Sequence, residues 1–335
     1  MLNNADSFIL NGPLASRGYD SWWHSFTGKD AETGEERPFF IEFYFCNPEL
    51  GSDKVILGQP GKHKKGVKPL PVKPSYLMVK AGCWGEGGVQ LHRFFPWSKV
   101  EINEGRFFYF SAGDCFVSRD ATCGRVKVIE DEAKGHPEWM SGAGEIEWRL
   151  VMERRLSGNR TLFKGQVRWN GRLFNVSAKR SFGYASRQWG SEFLSPAILL
   201  SSCDLKSRKT GKFLNNSAFT IEVGNASRIT LKERVFEFNG RKNSLLSKTS
   251  YSCRETKSTV VWHIEQRSLF NRMVADITCL KREMILINRE SPDGIIVHRR
   301  FWNGGNGKGT LKLYRFGSLV DEISVRHALC KYGKQ

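Results

Sequence analysis

Four residues of this sequence are best suited to move a proton: Asp20, His24, Glu42 and Glu192. Asp20 and His24 flank the pair Trp22-Trp23. In an extended segment Asp20, Trp22 and His24 share one face, because side chains alternate along a strand. Glu42 interrupts the run Phe39-Phe40-Ile41-Glu42-Phe43-Tyr44-Phe45. A carboxyl there lies either on a solvent face or in the interior with a raised pKa, and the second case suits a general acid. Glu192 follows Trp189-Gly190. In Trp262-His263-Ile264-Glu265 the polar pair shares one face and the apolar pair the other. An inward Trp262 therefore makes His263 and Glu265 surface groups.

Other chemistries find no support. No Gly-x-Gly-x-x-Gly follows a strand and opens a helix, and there is no Walker loop, Gly-x-Ser-x-Gly element or zincin motif. The seven histidines are dispersed. The eight cysteines include no Cys-x-x-Cys and no zinc-finger spacing. No metal or cofactor is expected, and the cysteines are expected to be reduced, several of them as small buried apolar groups.

The elements that must position these residues follow period two rather than 3.6. Phe39–Phe45 reads as a strand. Gln166–Trp169, Asn170-Gly171 and Arg172–Val176 read as a hairpin closed by a type I′ turn. Strands also recur at Thr259–Gln266, Met273–Leu280, Met284–Asn288, Ile295–Phe301, Thr310–Tyr314 and Leu319–Val325. Such spacing indicates an all-β barrel or sandwich with little helix. Arg326–Tyr332 could form a short terminal helix, and the glycine-rich Asn303–Gly309 reads as a hairpin turn. The stretch Gly58–Pro74 holds four prolines and five lysines, a loop composition rather than that of a central strand. The 335 residues suffice for two ordinary cores, and a boundary near residue 160 gives units 1–160 and 161–335.

Net charge is +18, yet residues 1–160 carry 21 basic and 21 acidic groups. All the excess lies in residues 161–335, which suggests either an anionic partner such as a membrane surface, nucleic acid or acidic ligand, or, since the basic residues are dispersed, a solvated surface that keeps the protein soluble. Nucleic acid is disfavoured, since neither a recognition helix nor an aromatic platform is evident. No apolar run reaches the roughly 18 residues that span a bilayer, and Met1–Leu14 lacks the features of a signal peptide. A soluble, cytoplasmic protein is expected.

Three passages carry a resemblance. They are Gly18-Tyr19-Asp20-Ser21-Trp22-Trp23-His24-Ser25-Phe26, the central Phe182-Gly183-Tyr184-Ala185-Ser186-Arg187-Gln188-Trp189-Gly190-Ser191-Glu192-Phe193-Leu194-Ser195-Pro196, and Phe301-Trp302-Asn303-Gly304-Gly305-Asn306-Gly307-Lys308-Gly309. Together they resemble the tocopherol cyclase-like family. The resemblance implies two packed lipocalin-like antiparallel barrels or half-barrels, related to those of carotenoid hydratases and fungal decalin-forming cyclases. It also implies cofactor-free cyclisation, hydration or isomerisation of a hydrophobic prenylated, polyketide-like or phenolic molecule. Such chemistry needs a proton donor, excluded water and aromatic faces that stabilise developing positive charge. Trp22, Trp23, Tyr184, Trp189, Trp262 and Trp302 are the candidates for that substrate-binding wall. The sequence departs from the family at Ser186, where relatives carry an acid, and at Arg187 and Gln188, where they carry Lys and Asn or Asp. Ala197-Ile198-Leu199 replaces Trp-x-Trp, which should widen the cavity. The neutral Ser186 keeps a non-catalytic carrier of a hydrophobic ligand in play beside the enzyme. A basic adaptor is the third class.

Overall fold

The computed structural model describes residues 7–333 apart from 52, 59–71, 136–140, 156–159, 194–196, 233, 240–246 and 295–298. Residues 59–71 of the lysine- and proline-rich loop and part of the expected strand Ile295–Phe301 thus lie outside the described residues. Strand accounts for 65% of the described residues and helix for 6%, the all-β class that period-two patterning indicates.

In chain order, twelve strands build the first sheet: β1 (Tyr19–Asp30), β2 (Glu36–Cys46), β3 (Tyr76–Cys83), β4 (Val89–Phe95), β5 (Glu101–Asn103), β6 (Tyr109–Ala112), β7 (Cys115–Ser118), β8 (Ala121–Val128), β9 (Gly144–Arg155), β10 (Thr161–Trp169), β11 (Arg172–Val176) and β12 (Tyr184–Gly190). Eleven more build the second: β13 (Ala197–Ser202), β14 (Asp204–Ser207), β15 (Ala218–Glu222), β16 (Ala226–Leu231), β17 (Arg234–Asn239), β18 (Ser247–Glu255), β19 (Thr259–Ser268), β20 (Asn271–Leu280), β21 (Met284–Arg289), β22 (Arg299–Arg315) and β23 (Ser318–Gly333). The one described α-helix is the six-residue Glu130–Gly135. No helix among the described residues is long and apolar enough to cross a membrane.

The first sheet runs β4-β3-β2-β1-β11-β10-β9-β8-β7-β6-β5, with β12 also on β1. It curls until β4 lies against β8. The second runs β17-β16-β15-β13-β23-β22-β20-β19-β18, and β17 approaches β18 and β19, so this barrel is nearly closed. The pair is the two-barrel, lipocalin-like architecture expected. Each barrel has its own apolar filling, built on Trp22, Phe43, Phe45, Trp148 and Phe163 in the first and on Trp262, Ile264, Phe236 and Leu311 in the second.

Three expectations change. The chain switches sheets between Gly190 and Ala197, not near residue 160, because β10, β11 and β12 hydrogen-bond into the first sheet. The Asn170-Gly171 turn does form, with φ of 47° and 85°, but it joins two strands of that first sheet. Arg326–Tyr332 is strand rather than helix, held between β22 and β13. The glycine run at 303–309 is not a turn but the middle of the 17-residue β22. Its glycines are needed for close approach: a Cβ at Gly305 would lie 2.6 Å from the Trp84 ring, and one at Gly307 2.3 Å from Cys330 Sγ.

Candidate functional site

Strands β1, β2 and β3 are buried on both faces. One face fills the first barrel and the other packs against the second sheet, forming a seam. Register places Ser186, Trp23, Glu42, Lys80 and His92 in one row across β12, β1, β2, β3 and β4. The second sheet sets a facing row of Glu222, Leu199, Lys331, Asn303 and Ile285. The rows meet where Lys331 Nζ sits 3.8 Å from the centre of the Trp23 ring. Beside them, Trp23 stacks on Phe40 and Phe40 leans on Trp84, with centroids 5.4 and 4.7 Å apart. Leu199, Ile285 and Leu329 close this aromatic cluster from the other side.

The polar part of the first row is sealed from solvent. Glu42 Oε2 lies 2.7 Å from Lys80 Nζ, and the Ser21 hydroxyl donates to Glu42 Oε1 at 2.7 Å. Glu42 and Lys80 are 1% and 0% exposed. Burial and the neighbouring Lys80 charge hold the His92 imidazole well below its usual pKa, with Glu42 opposing weakly. His92 is therefore neutral at pH 7. Removing a carboxylate and an ammonium from water costs several kcal/mol per ion, which their attraction regains only with good geometry. The seam also holds polar atoms with no hydrogen-bond partner among the described residues: Trp23 Nε1, Trp84 Nε1 and both amide atoms of Asn303. Each such atom costs about 1–3 kcal/mol while unpaired.

A second acid closes one end of the seam. Glu290, just past β21, receives the Tyr76 hydroxyl on Oε2 at 2.6 Å and the Gly58 backbone N–H. Tyr44 OH donates to the Glu290 carbonyl oxygen at 2.7 Å. Burial raises the Glu290 carboxyl to about 7 against the pull of these donors. Nothing in the sequence singles it out. Arg289-Glu290-Ser291-Pro292-Asp293-Gly294 has the composition of an exposed polar turn, and only the fold lays it over Tyr44 and Tyr76.

The sequence-selected residues separate into different places. Asp20, Trp22 and His24 do share a face, and it points into the first barrel. There Arg187 grips Asp20 through Nε and Nη2 at 3.0 and 2.7 Å, and the Trp22 N–H donates to Asp20 at 3.2 Å. Burial raises the Asp20 pKa, opposed by Arg187 and Trp22. His24 lies edge-on to Phe163. Glu42 and Trp23 face the opposite way, into the seam, as do Tyr184 and Ser186. Trp262 is packed in the second barrel, with His263 outside as the alternation requires. Trp302 leans on the same filling and donates to Glu255 at 3.1 Å. Trp189 and Glu192 belong to no wall: Trp189 is 42% exposed, and Glu192 is exposed just beyond the end of β12. Leu199 packs into the aromatic cluster, so the space expected from losing the Trp-x-Trp pattern is taken up. A void of about 10 Å³ between Trp84, Gly305, His327 and Leu329 has room for one water.

Among the described residues no three His, Cys, Asp or Glu side chains could hold a metal ion, and all eight cysteines are free thiols. No protein-family model matches the chain, and no curated protein matches it in sequence. The tocopherol cyclase-like resemblance therefore rests on the three passages quoted above. Among solved structures, a candidate ATTH from Nitrosomonas europaea is similar over 94% of this chain and 93% of its own, with 11% identity and a TM-score of 0.43. Kievitone hydratase from Nectria haematococca is similar over 94% of this chain and 89% of its own, with 9% identity and a TM-score of 0.40.

Proposed function

We propose that the protein is a cofactor-independent hydratase, isomerase or cyclase that binds an oxygen-bearing apolar molecule in the seam. The observation that carries this reading is the row Trp23–Glu42–Lys80–His92, sealed between two sheets beside unpaired indole and amide groups. A fold gains little by burying an ion pair, since apolar residues of equal volume serve as well or better. A buried acid with a base in reach is, in contrast, what proton transfer requires. The N–H groups of Trp23 and Trp84 and the Asn303 amide would receive the carbonyl or hydroxyl oxygens of the ligand. Trp23, Phe40 and Trp84 supply the apolar wall against which the ligand lies. The Glu42 carboxylate takes a proton from one position of the ligand or from the adding water and returns it to another, so the carboxylate is regenerated and no net proton is consumed. Lys80 and Ser21 hold its carboxylate, and neutral His92 stands behind Lys80. Ligand pockets measure roughly 300–1,000 Å³, so a ligand requires more room than the 10 Å³ hollow beside Trp84 offers.

The test has two stages. Native mass spectrometry of protein from its host identifies a co-purifying compound. That compound is then incubated with wild-type protein and with Glu42→Gln in buffer containing a chelator. Conversion by wild type and a loss of about 10²–10⁴-fold in the variant are expected for a general acid–base. Full activity in Glu42→Gln sinks the assignment of Glu42. Recovery of the compound unchanged from wild type sinks the enzyme and leaves the carrier.

A further inference from the structure

Away from the seam, two hairpin tips of the second barrel stand side by side. The β19–β20 turn carries Leu269 and Phe270, and the β22–β23 turn carries Phe316, followed by Leu319. The Phe316 N–H donates to the Phe270 carbonyl at 2.8 Å, and the two rings lie 5.0 Å apart. These are not core residues: Leu269, Phe270 and Phe316 are 61, 52 and 68% exposed. Exposed apolar groups gathered at adjoining tips, rather than scattered singly, mark an interaction surface. Between the tips lies a hollow of about 300 Å³ lined by Arg267, Arg272, Tyr314 and the two phenylalanines.

The surround is basic. Arg315 lies over the Phe316 ring. Arg267 and Arg272 share one carboxylate, Glu265, which leaves a net positive charge at the hollow. The hairpin after β14 adds Arg208, Lys209 and Lys212, and Arg208 is tied to Glu322 of β23 at 2.8 Å. Residues 206–213, 265–272 and 312–322 together hold eight basic and three acidic groups. An apolar tip ringed by arginines complements an anionic bilayer, in which the tip enters the acyl boundary and the guanidinium groups meet lipid phosphates. A soluble acidic partner would need the charge but not the exposed rings.

We propose that these paired hairpin tips dock the protein on anionic membrane, with Leu269, Phe270 and Phe316 inserting and Arg267, Arg272 and Arg315 binding lipid phosphate. The site is independent of the seam chemistry.

Vesicle sedimentation tests it on the full chain. Wild-type protein should bind vesicles of mixed phosphatidylcholine and phosphatidylserine at least tenfold better than phosphatidylcholine alone, with binding falling as salt rises. Leu269→Ser/Phe270→Ser/Phe316→Ser should lose at least tenfold. Arg267→Gln/Arg315→Gln should lose about fivefold per arginine, from about 1 kcal/mol for each. Phe107→Ser removes a ring that is 74% exposed in the connection between β5 and β6 and should bind as wild type does. All changes are at exposed positions, and circular dichroism confirms that each variant folds. Wild-type binding by the triple variant overturns the proposal. So does light scattering that shows a dimer abolished by the triple change while wild type ignores vesicles, which would make the patch a contact between copies.

Discussion

Trp22 and Trp23 are neighbours on one strand and live in opposite chemical settings. Trp22 points into the first barrel, where its N–H donates to Asp20 and the Arg187 guanidinium lies 4.5 Å over its ring. Arg187 also reaches Phe108 and the Ser7 carbonyl. This is a buried ion pair between adjacent strands β1 and β12, wrapped in donors and rings. Trp23 points into the seam, where its N–H finds no acceptor among the described residues and the adjacent ion pair is Glu42–Lys80. Unpaired buried atoms occur outside the seam too, Trp262 Nε1 in the second barrel among them, so the contrast concerns these two neighbouring tryptophans. The difference between these two neighbours on β1 is what favours the proposal of chemistry in the seam over the first barrel.

The largest effect should come from splitting the ion pairs. Lys80→Met or Glu42→Leu alone strands a buried charge and should cost about 3–5 kcal/mol in denaturant unfolding. The double change Glu42→Leu/Lys80→Met should recover most of that stability and keep no activity. Asp20→Asn should also destabilise by leaving Arg187 unpaired, but turnover measured well below its melting point should persist. Loss of turnover in Asp20→Asn with intact folding would break the comparison.

Next is pH. The Glu290 carboxyl rises from its ordinary 4.5 to about 7 in the folded chain, so between these values the folded state holds more protons than the unfolded one. Unfolding free energy then decreases as pH increases. The stabilisation is full below about pH 4.5 and gone above about 7, amounting to about 3 kcal/mol. Glu290→Gln should flatten the stability–pH curve in that window by this amount. An unchanged slope would remove Glu290 from the seam's electrostatics.

A smaller effect separates the two tryptophans. Trp22→Phe deletes a donor to Asp20 and should cost about 1–3 kcal/mol. Trp23→Phe deletes an unpaired N–H, so the ligand-free protein should be less affected, while affinity for an oxygenated ligand should fall. Equal loss of stability in the two variants would mean that the Trp23 N–H is satisfied after all. The smallest effect belongs to Trp189→Ala. Its exposure limits the change to about 0.5–1 kcal/mol, and ligand affinity should hold, measurable by calorimetry.

Much of this was legible in the residues themselves. Aromatic and β-branched alternation marked the strands, Asn170-Gly171 marked its turn, and the Trp262-His263 alternation assigned inside and outside correctly. Asp20, Trp22 and His24 were placed on one face by the same rule. Periodicity divides a strand into two faces, but it names the buried one only when the other is polar. In β1 and β2 both faces are buried, so Glu42 could be read as solvent-facing or internal, and Trp22 could not be told from Trp23. Local pattern is likewise silent on pairing between distant segments. That Ser186, Trp23, Glu42, Lys80 and His92 form one row, that Glu290 crosses onto Tyr44 and Tyr76, and that β10 to β12 complete the first sheet are matters of long-range register. Only the tertiary structure decided them, because hydrogen bonds between strands are set by the packing of whole sheets rather than by neighbours in the chain.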